Sequence, residues 1–204
     1  MQPNEMQQRG SQMTGMTSDT SFGGHDILDA HEVIGSMIDF LDHCKLYESH
    51  IQDPQLKDIQ QRQYNFLTGL YNTVIDTFQS GKDPSKATHS YKMTQSNDVI
   101  YGMTQGQPKK PAQNVNELDD ECISSFMMGH TKALASSLTM AAFEVSNPVL
   151  RRIFADSVPN LIEMGYELFL YQNKNGYYQV PQLESSHMSI LQQSYTHASQ
   201  PPLN

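Results

Sequence analysis

Three polar residues interrupt otherwise apolar helical stripes: Glu48, Gln63 and His130. A carboxylate, an amide and an imidazole that meet inside a bundle could hold a metal ion in a degenerate centre or line a small ligand pocket. The plainer alternative is that they hydrogen-bond one another or water and fix helix register. A full di-iron carboxylate centre asks for more. It needs two single Glu ligands and two Glu-x-x-His pairs, whose i, i+3 spacing puts both ligands on one helix face. The only Glu-x-x-His here runs from Glu184 to His187 in the polar C-terminal segment, and residues 54–80 contain no Glu. No catalytic, cofactor-binding or metal-binding residue is therefore assigned, and no cofactor is expected.

His25, His31, His43 and His50 share one helical segment and read as a surface set, with His31 near the core edge. His43 and His50 lie a heptad apart, too far to chelate one ion together. Cys44 and Cys122 lack redox or zinc-motif spacing and read as buried free thiols. There is no Gly-x-Ser-x-Gly element, and the Gly102–Gly106 loop lacks the Lys-Ser/Thr of a phosphate-binding loop. A net charge of −9 argues against sequence-independent nucleic-acid binding, which needs a basic stripe to displace counterions. No apolar run approaches the ~18 residues of a membrane span. The N-terminus has no apolar core of a secretory leader, so none is expected. Gln is abundant at 20 residues, many of them at 2–12, 95–113 and 192–200, and Tyr numbers 10. These serve either as polar filler or as contact and cross-linking groups in an assembly.

The elements that must position these groups are helices. Residues 26–52 carry Ile27, Ala30, Ile34, Met37, Leu41, Cys44, Glu48 and Ile51 at 3-4 spacing, widened by Val33, Phe40 and Tyr47. That is one broad face of a long amphipathic helix. Asp53-Pro54 restarts the chain, with Asp as N-cap and Pro at the first helical position, where its missing N–H costs nothing. Leu56, Gln60, Gln63, Leu67, Leu70, Val74 and Phe78 form the next stripe, and Ser80-Gly81 stops it. A linker follows over 82–116, with Val99-Ile100-Tyr101 its one apolar knot. Asn116 is expected to cap a third helix with the face Ile123, Met127, His130, Leu134, Leu138, Ala141 and Val145. Asn147-Pro148 repeats the cap-and-proline device. The fourth helix buries Leu150, Ile153, Phe154, Leu161, Met164, Leu168 and Phe169 and ends at Asn175-Gly176, with a kink expected at the interior Pro159.

Aligning Pro54 with Pro148 brings Leu56, Ile59, Leu67, Leu70 and Val74 onto Leu150, Ile153, Leu161, Met164 and Leu168. The chain is thus two αα-hairpins, about 26–80 and 117–176. Each helix of about 27 residues spans roughly 40 Å. The 82–116 linker is too long for a tight turn and long enough to run the length of the bundle at about 3.3 Å per residue. Two hairpins joined by one long crossover is the ferritin-like topology. The fold expected is an all-α, ferritin-like four-helix bundle over 23–183, with a disordered Gln/Met-rich arm at 1–22 and a disordered tail at 184–204.

The stretch from Glu117 to Leu183 resembles the coat F domain of bacterial spore coat proteins. The resemblance is carried by Glu117-Leu118-Asp119-Asp120, the Asn147-Pro148-Val149-Leu150-Arg151-Arg152 turn and the Gly176-Tyr177-Tyr178 ending. His31-Glu32-Val33, Arg62-Gln63-Tyr64-Asn65-Phe66, Tyr71-Asn72 and the linker's Pro108-Lys109-Lys110-Pro111 extend it to coat F-like proteins over about 25–183. It implies a ferritin-like bundle made during sporulation and found in the spore coat. The implied role is structural and non-enzymatic, with other coat proteins or further copies of the chain as partners through the Gln-rich arms. It brings no catalytic residues. The alternatives are a ferritin-like metal-binding protein or oxidoreductase using Glu48 and His130, or a small-molecule binding bundle lined by Gln63 and His130.

Overall fold

The computed structural model describes residues 22–86 and 88–199. Four long helices form α1 (Gly24–Glu48), α2 (Pro54–Ser80), α3 (Asp120–Glu144) and α4 (Pro148–Lys174). α1 packs on α2, α2 on α4, α4 on α3 and α3 on α1, which closes a ring. The architecture is an all-helical bundle of two hairpins, compatible with the ferritin-like topology. No described helix is long and apolar enough to cross a membrane.

The caps act as the residue types require. Asp53 accepts the Gln55 N–H, Asn147 accepts the Val149 and Leu150 N–H groups, and Gly81 ends α2 at φ 68°. The sequence repeat is a structural repeat. α1 and α3 have 25 residues each, α2 and α4 have 27 each, and every aligned apolar pair named above is buried. The interior divides along the axis. One cluster gathers Met37, Phe40, Leu67, Leu138, Phe154 and Leu161; the other gathers Tyr47, Leu56, Ile59, Ile123, Met127 and Tyr171 near the α1–α2 turn. Burial of each such side chain contributes about 1.5–3 kcal/mol.

Several expectations need correction. The buried face of α1 is centred on Ala30, Val33, Met37, Phe40, Cys44 and Tyr47, while Ile27 is 42% exposed. Asn116 does not cap the third helix. Asn114 accepts the Asn116 N–H and opens a 3-10 turn at Val115–Glu117, and Asp119 caps α3 by accepting the Cys122 N–H. The tail is not wholly irregular: Ser185–Gln193 forms α5, an exposed helix without a buried residue. The expected arm lies outside the described residues except for Phe22, which packs on Phe78 and joins the core edge. Helix α4 runs through Pro159 without interruption. Cys44 is buried, and burial pushes its thiol up to about 12; Cys122 is only half-buried.

The linker descends along α4, and its partners rise in number as it does. Tyr91 N–H meets Asn160, Thr94 N–H meets Glu167, Ile100 N–H meets Asn173, and Gly102 N–H meets the Val180 carbonyl. The apolar residue that anchors it is Tyr91, 8% exposed, rather than Ile100 or Tyr101, which are 56% and 61% exposed.

Candidate functional site

Glu48, Gln63 and His130 do not form one cluster. Glu48 lies 40% exposed on the outside of α1 and pairs with Lys45. Gln63 is fully buried on α2, and its Nε2 donates to the Met164 carbonyl across the bundle at 3.1 Å. His130 sits half-buried on α3 and meets α1 residues other than Glu48. Neither Gln63 nor His130 lines the cleft of about 620 Å³ that lies beside the linker between Phe66, Lys86, Ser90, Asp156 and Asn160.

The polar groups that are brought together lie on the two seams where the hairpins meet. On the α2–α4 seam the carboxylate of Glu167 is fully buried. Arg62 of α2 grips it with both terminal nitrogens, at 2.8 and 3.1 Å. Thr94 N–H donates to the same carboxylate at 3.0 Å, and the Tyr91 hydroxyl donates to it closely. Arg62 also donates to Asp58 and to the Tyr91 oxygen. Burial would lower the Arg62 pKa, but the Glu167 and Asp58 bonds more than reverse that. Burial and then Glu167 hold the Tyr91 phenol well above its ordinary value. A buried charge is tolerated only when its oxygens are all engaged, and here both are. Glu167 was not singled out from sequence. A lone Glu inside the apolar stripe of 161, 164 and 168 was the available signal.

On the α1–α3 seam, Asp39 and His43 stand one turn apart on α1, and His130 faces them from α3. The Asp39 carboxylate lies 3.2 Å from His43 Nδ1 and 3.6 Å from His130 Nδ1. The two imidazole centroids are 4.5 Å apart. His130 Nε2 is 3.2 Å from the Tyr47 hydroxyl, and its ring stacks on Phe40. Burial, and then the neighbouring His43, keep His130 below the ordinary imidazole value against the pull of Asp39. His43 is therefore part of a cluster, whereas His25 and His31 are exposed as expected.

The bundle ends carry a reciprocal clasp. Asp26, fully buried at the start of α1, accepts N–H and O–H from Ser146 in the α3–α4 turn and the Gly23 N–H. Asp120, at the start of α3, accepts the Gln52 and Asp53 N–H groups of the α1–α2 turn at 2.9 and 3.0 Å. The two aspartates correspond in the register that aligns Pro54 with Pro148. Each half thus grips the other's turn. Burial alone would raise the Asp26 pKa, but bonds from Ser146, Gly23 and Asn147 override it and hold it below the usual range.

The chain is similar to known proteins in both sequence and fold. The Coat F domain family matches residues 119–182, which begin at the α3 cap and end beyond the Val180 bridge. The spore coat protein F-like protein YhcQ of Bacillus subtilis (strain 168) is 43% identical over 176 residues, covering 86% of this chain and 81% of the relative. A crystal structure from Bacillus halodurans, provisionally titled a spore coat protein, shares the fold at a TM-score of 0.59. It has 11% identity and covers 82% of this chain and 98% of that one. The chain therefore belongs to the coat F family of spore coat proteins.

Proposed function

We propose that this protein is a structural, non-enzymatic component of the bacterial spore coat, made during sporulation. It associates there with other coat proteins or with further copies of itself through its Gln-rich terminal segments. The reading rests on the 43% identity with the coat F-like relative across both hairpins. The use made of the interior polar groups supports it. Glu167, Asp26 and Asp120 each spend their hydrogen-bonding capacity on another helix, the linker or a turn. Exposed apolar side chains such as Phe143 at 85%, Leu28 at 63% and Met140 at 60% offer contact area to neighbouring chains. The test is a fluorescent fusion followed through sporulation, with fractionation of purified spores. Signal confined to the spore periphery, extracted with the coat layer, is the expected result. Signal in vegetative cells and none in spores would overturn the proposal.

A further inference from the structure

We infer that Asp39, His43 and His130 form a surface binding site for a divalent transition-metal ion, with zinc its natural probe. This goes beyond the structural role and does not depend on it.

Geometry comes first. One ligand atom from each of the three residues lies within 4.8 Å of the other two. A tetrahedral zinc ion held at about 2.0–2.2 Å by nitrogen and carboxylate oxygen sets its ligands roughly 3.3 Å apart. The 3.6 Å between the Asp39 carboxylate and His130 Nδ1 is close to that edge. Asp39 and His43 are held at i, i+4 on one rigid helix. Packing of α1 on α3 then brings the His130 ring to within 4.5 Å of the His43 ring, centroid to centroid.

The second ring nitrogens supply an independent observation. A ligating imidazole donates its other N–H to an oxygen, which fixes ring orientation and tautomer. His43 Nδ1–H donates to the Asp39 carbonyl at 2.7 Å, leaving Nε2 with its lone pair. His130 Nε2 has the Tyr47 hydroxyl at 3.2 Å to receive its proton, leaving Nδ1 for an ion beside Asp39. Both rings thus have an outer partner in place.

The repeat supplies a third. In the register that aligns Pro54 with Pro148, the counterparts of Asp39, His43 and His130 are Ala133, Ser137 and Ser36. The same helix pair is therefore built on the symmetric side with small side chains. Packing of α1 on α3 does not itself demand two imidazoles and a carboxylate. The side chains of Asp39, His43 and His130 are 59%, 35% and 22% exposed, so an ion can enter and keep water in its fourth position. Two imidazoles with one carboxylate suit zinc, copper or nickel better than magnesium or calcium.

The test is zinc titration of the full-length, metal-stripped protein at pH 7.5 against a chromophoric chelator, with thermal unfolding in parallel. The expected result is one competing site per chain and a zinc-dependent rise in Tm. Affinity should fall at least about tenfold in His43→Ala and in His130→Ala, and less steeply in Tyr47→Phe, which removes only an outer partner. His43→Asn keeps the helix face polar and serves if His130→Ala unfolds. Ser137→Ala and His25→Ala should leave the affinity unchanged, the latter because His25 lies with Asp29 and Glu144 in a separate group. Zinc binding that His43→Ala and His130→Ala leave intact, or no competition by the wild-type protein at tens of micromolar zinc, overturns the inference.

Discussion

The two seams between the hairpins are treated in opposite ways. The α2–α4 seam is covered by the linker, and its charged pair is finished: Glu167 is sealed and every oxygen is bonded. Among the described residues no strap covers the α1–α3 seam, and Asp39, His43 and His130 stand partly open to solvent. One repeated scaffold therefore carries a locked polar group on one side and an available one on the other. The difference lies in the crossover, which can run along only one seam. A polar cluster under a strap has to be complete because water cannot reach it. A cluster at an open seam can remain incomplete, since water supplies what is missing.

The sharpest way to break this contrast is at Glu167. Glu167→Ala leaves the Arg62 guanidinium half-buried without its main partner and strands the Tyr91 hydroxyl and Thr94 N–H. Loss of one member of such a pair costs about 3–5 kcal/mol, read by urea unfolding. The linker should also become a preferred protease site near residue 91. Equal loss in His130→Ala would show that the two seams are equally structural.

Next in size is the Asp26 clasp. Its folded pKa is held below the unfolded value, so its contribution is fully present above about pH 4 and is lost as pH falls through the folded value. Asp26→Asn should cost about 1.5–3 kcal/mol at neutral pH, the range for hydrogen bonds to a charged group. It should also flatten the acid limb of the stability curve below about pH 4. Tyr91→Phe removes one hydroxyl from the Glu167 group and should cost about 1 kcal/mol.

The sequence made the helices legible because the determinants are local. Asp53-Pro54, Asn147-Pro148 and Gly81 mark ends that chemistry alone dictates, and the apolar residues of α2 and α4 recur without ambiguity. The face of α1 was less readable. From Cys44 the stripe can step to Tyr47 or to Glu48, and both spacings are helical; packing of α1 against two neighbours chose Tyr47. The seams were not legible. Arg62 and Glu167 are joined across the bundle with Tyr91 from a polar linker. The pairing of His43 with His130 depends on the relative height of α1 and α3. Periodicity within one helix carries no information about such height. The repeat held that information in part, since Asp26 and Asp120 correspond once Pro54 is set on Pro148.

The smallest effect is at Glu48, and it tests where the imidazole cluster ends. Its carboxylate is 40% exposed and 3.1 Å from Lys45, also exposed, three residues away. Such a pair contributes little because water screens it and two mobile side chains must be ordered. Glu48→Ala should therefore shift the urea midpoint by little and leave zinc affinity at the wild-type value, while His43→Ala lowers it. Both residues lie on α1 within two turns of each other, so any general loosening of the helix would affect both measurements alike. Zinc affinity that falls with Glu48→Ala and survives His43→Ala would move the site to the Glu48 side of the helix and return His43 to the solvent-facing set that its spacing first implied.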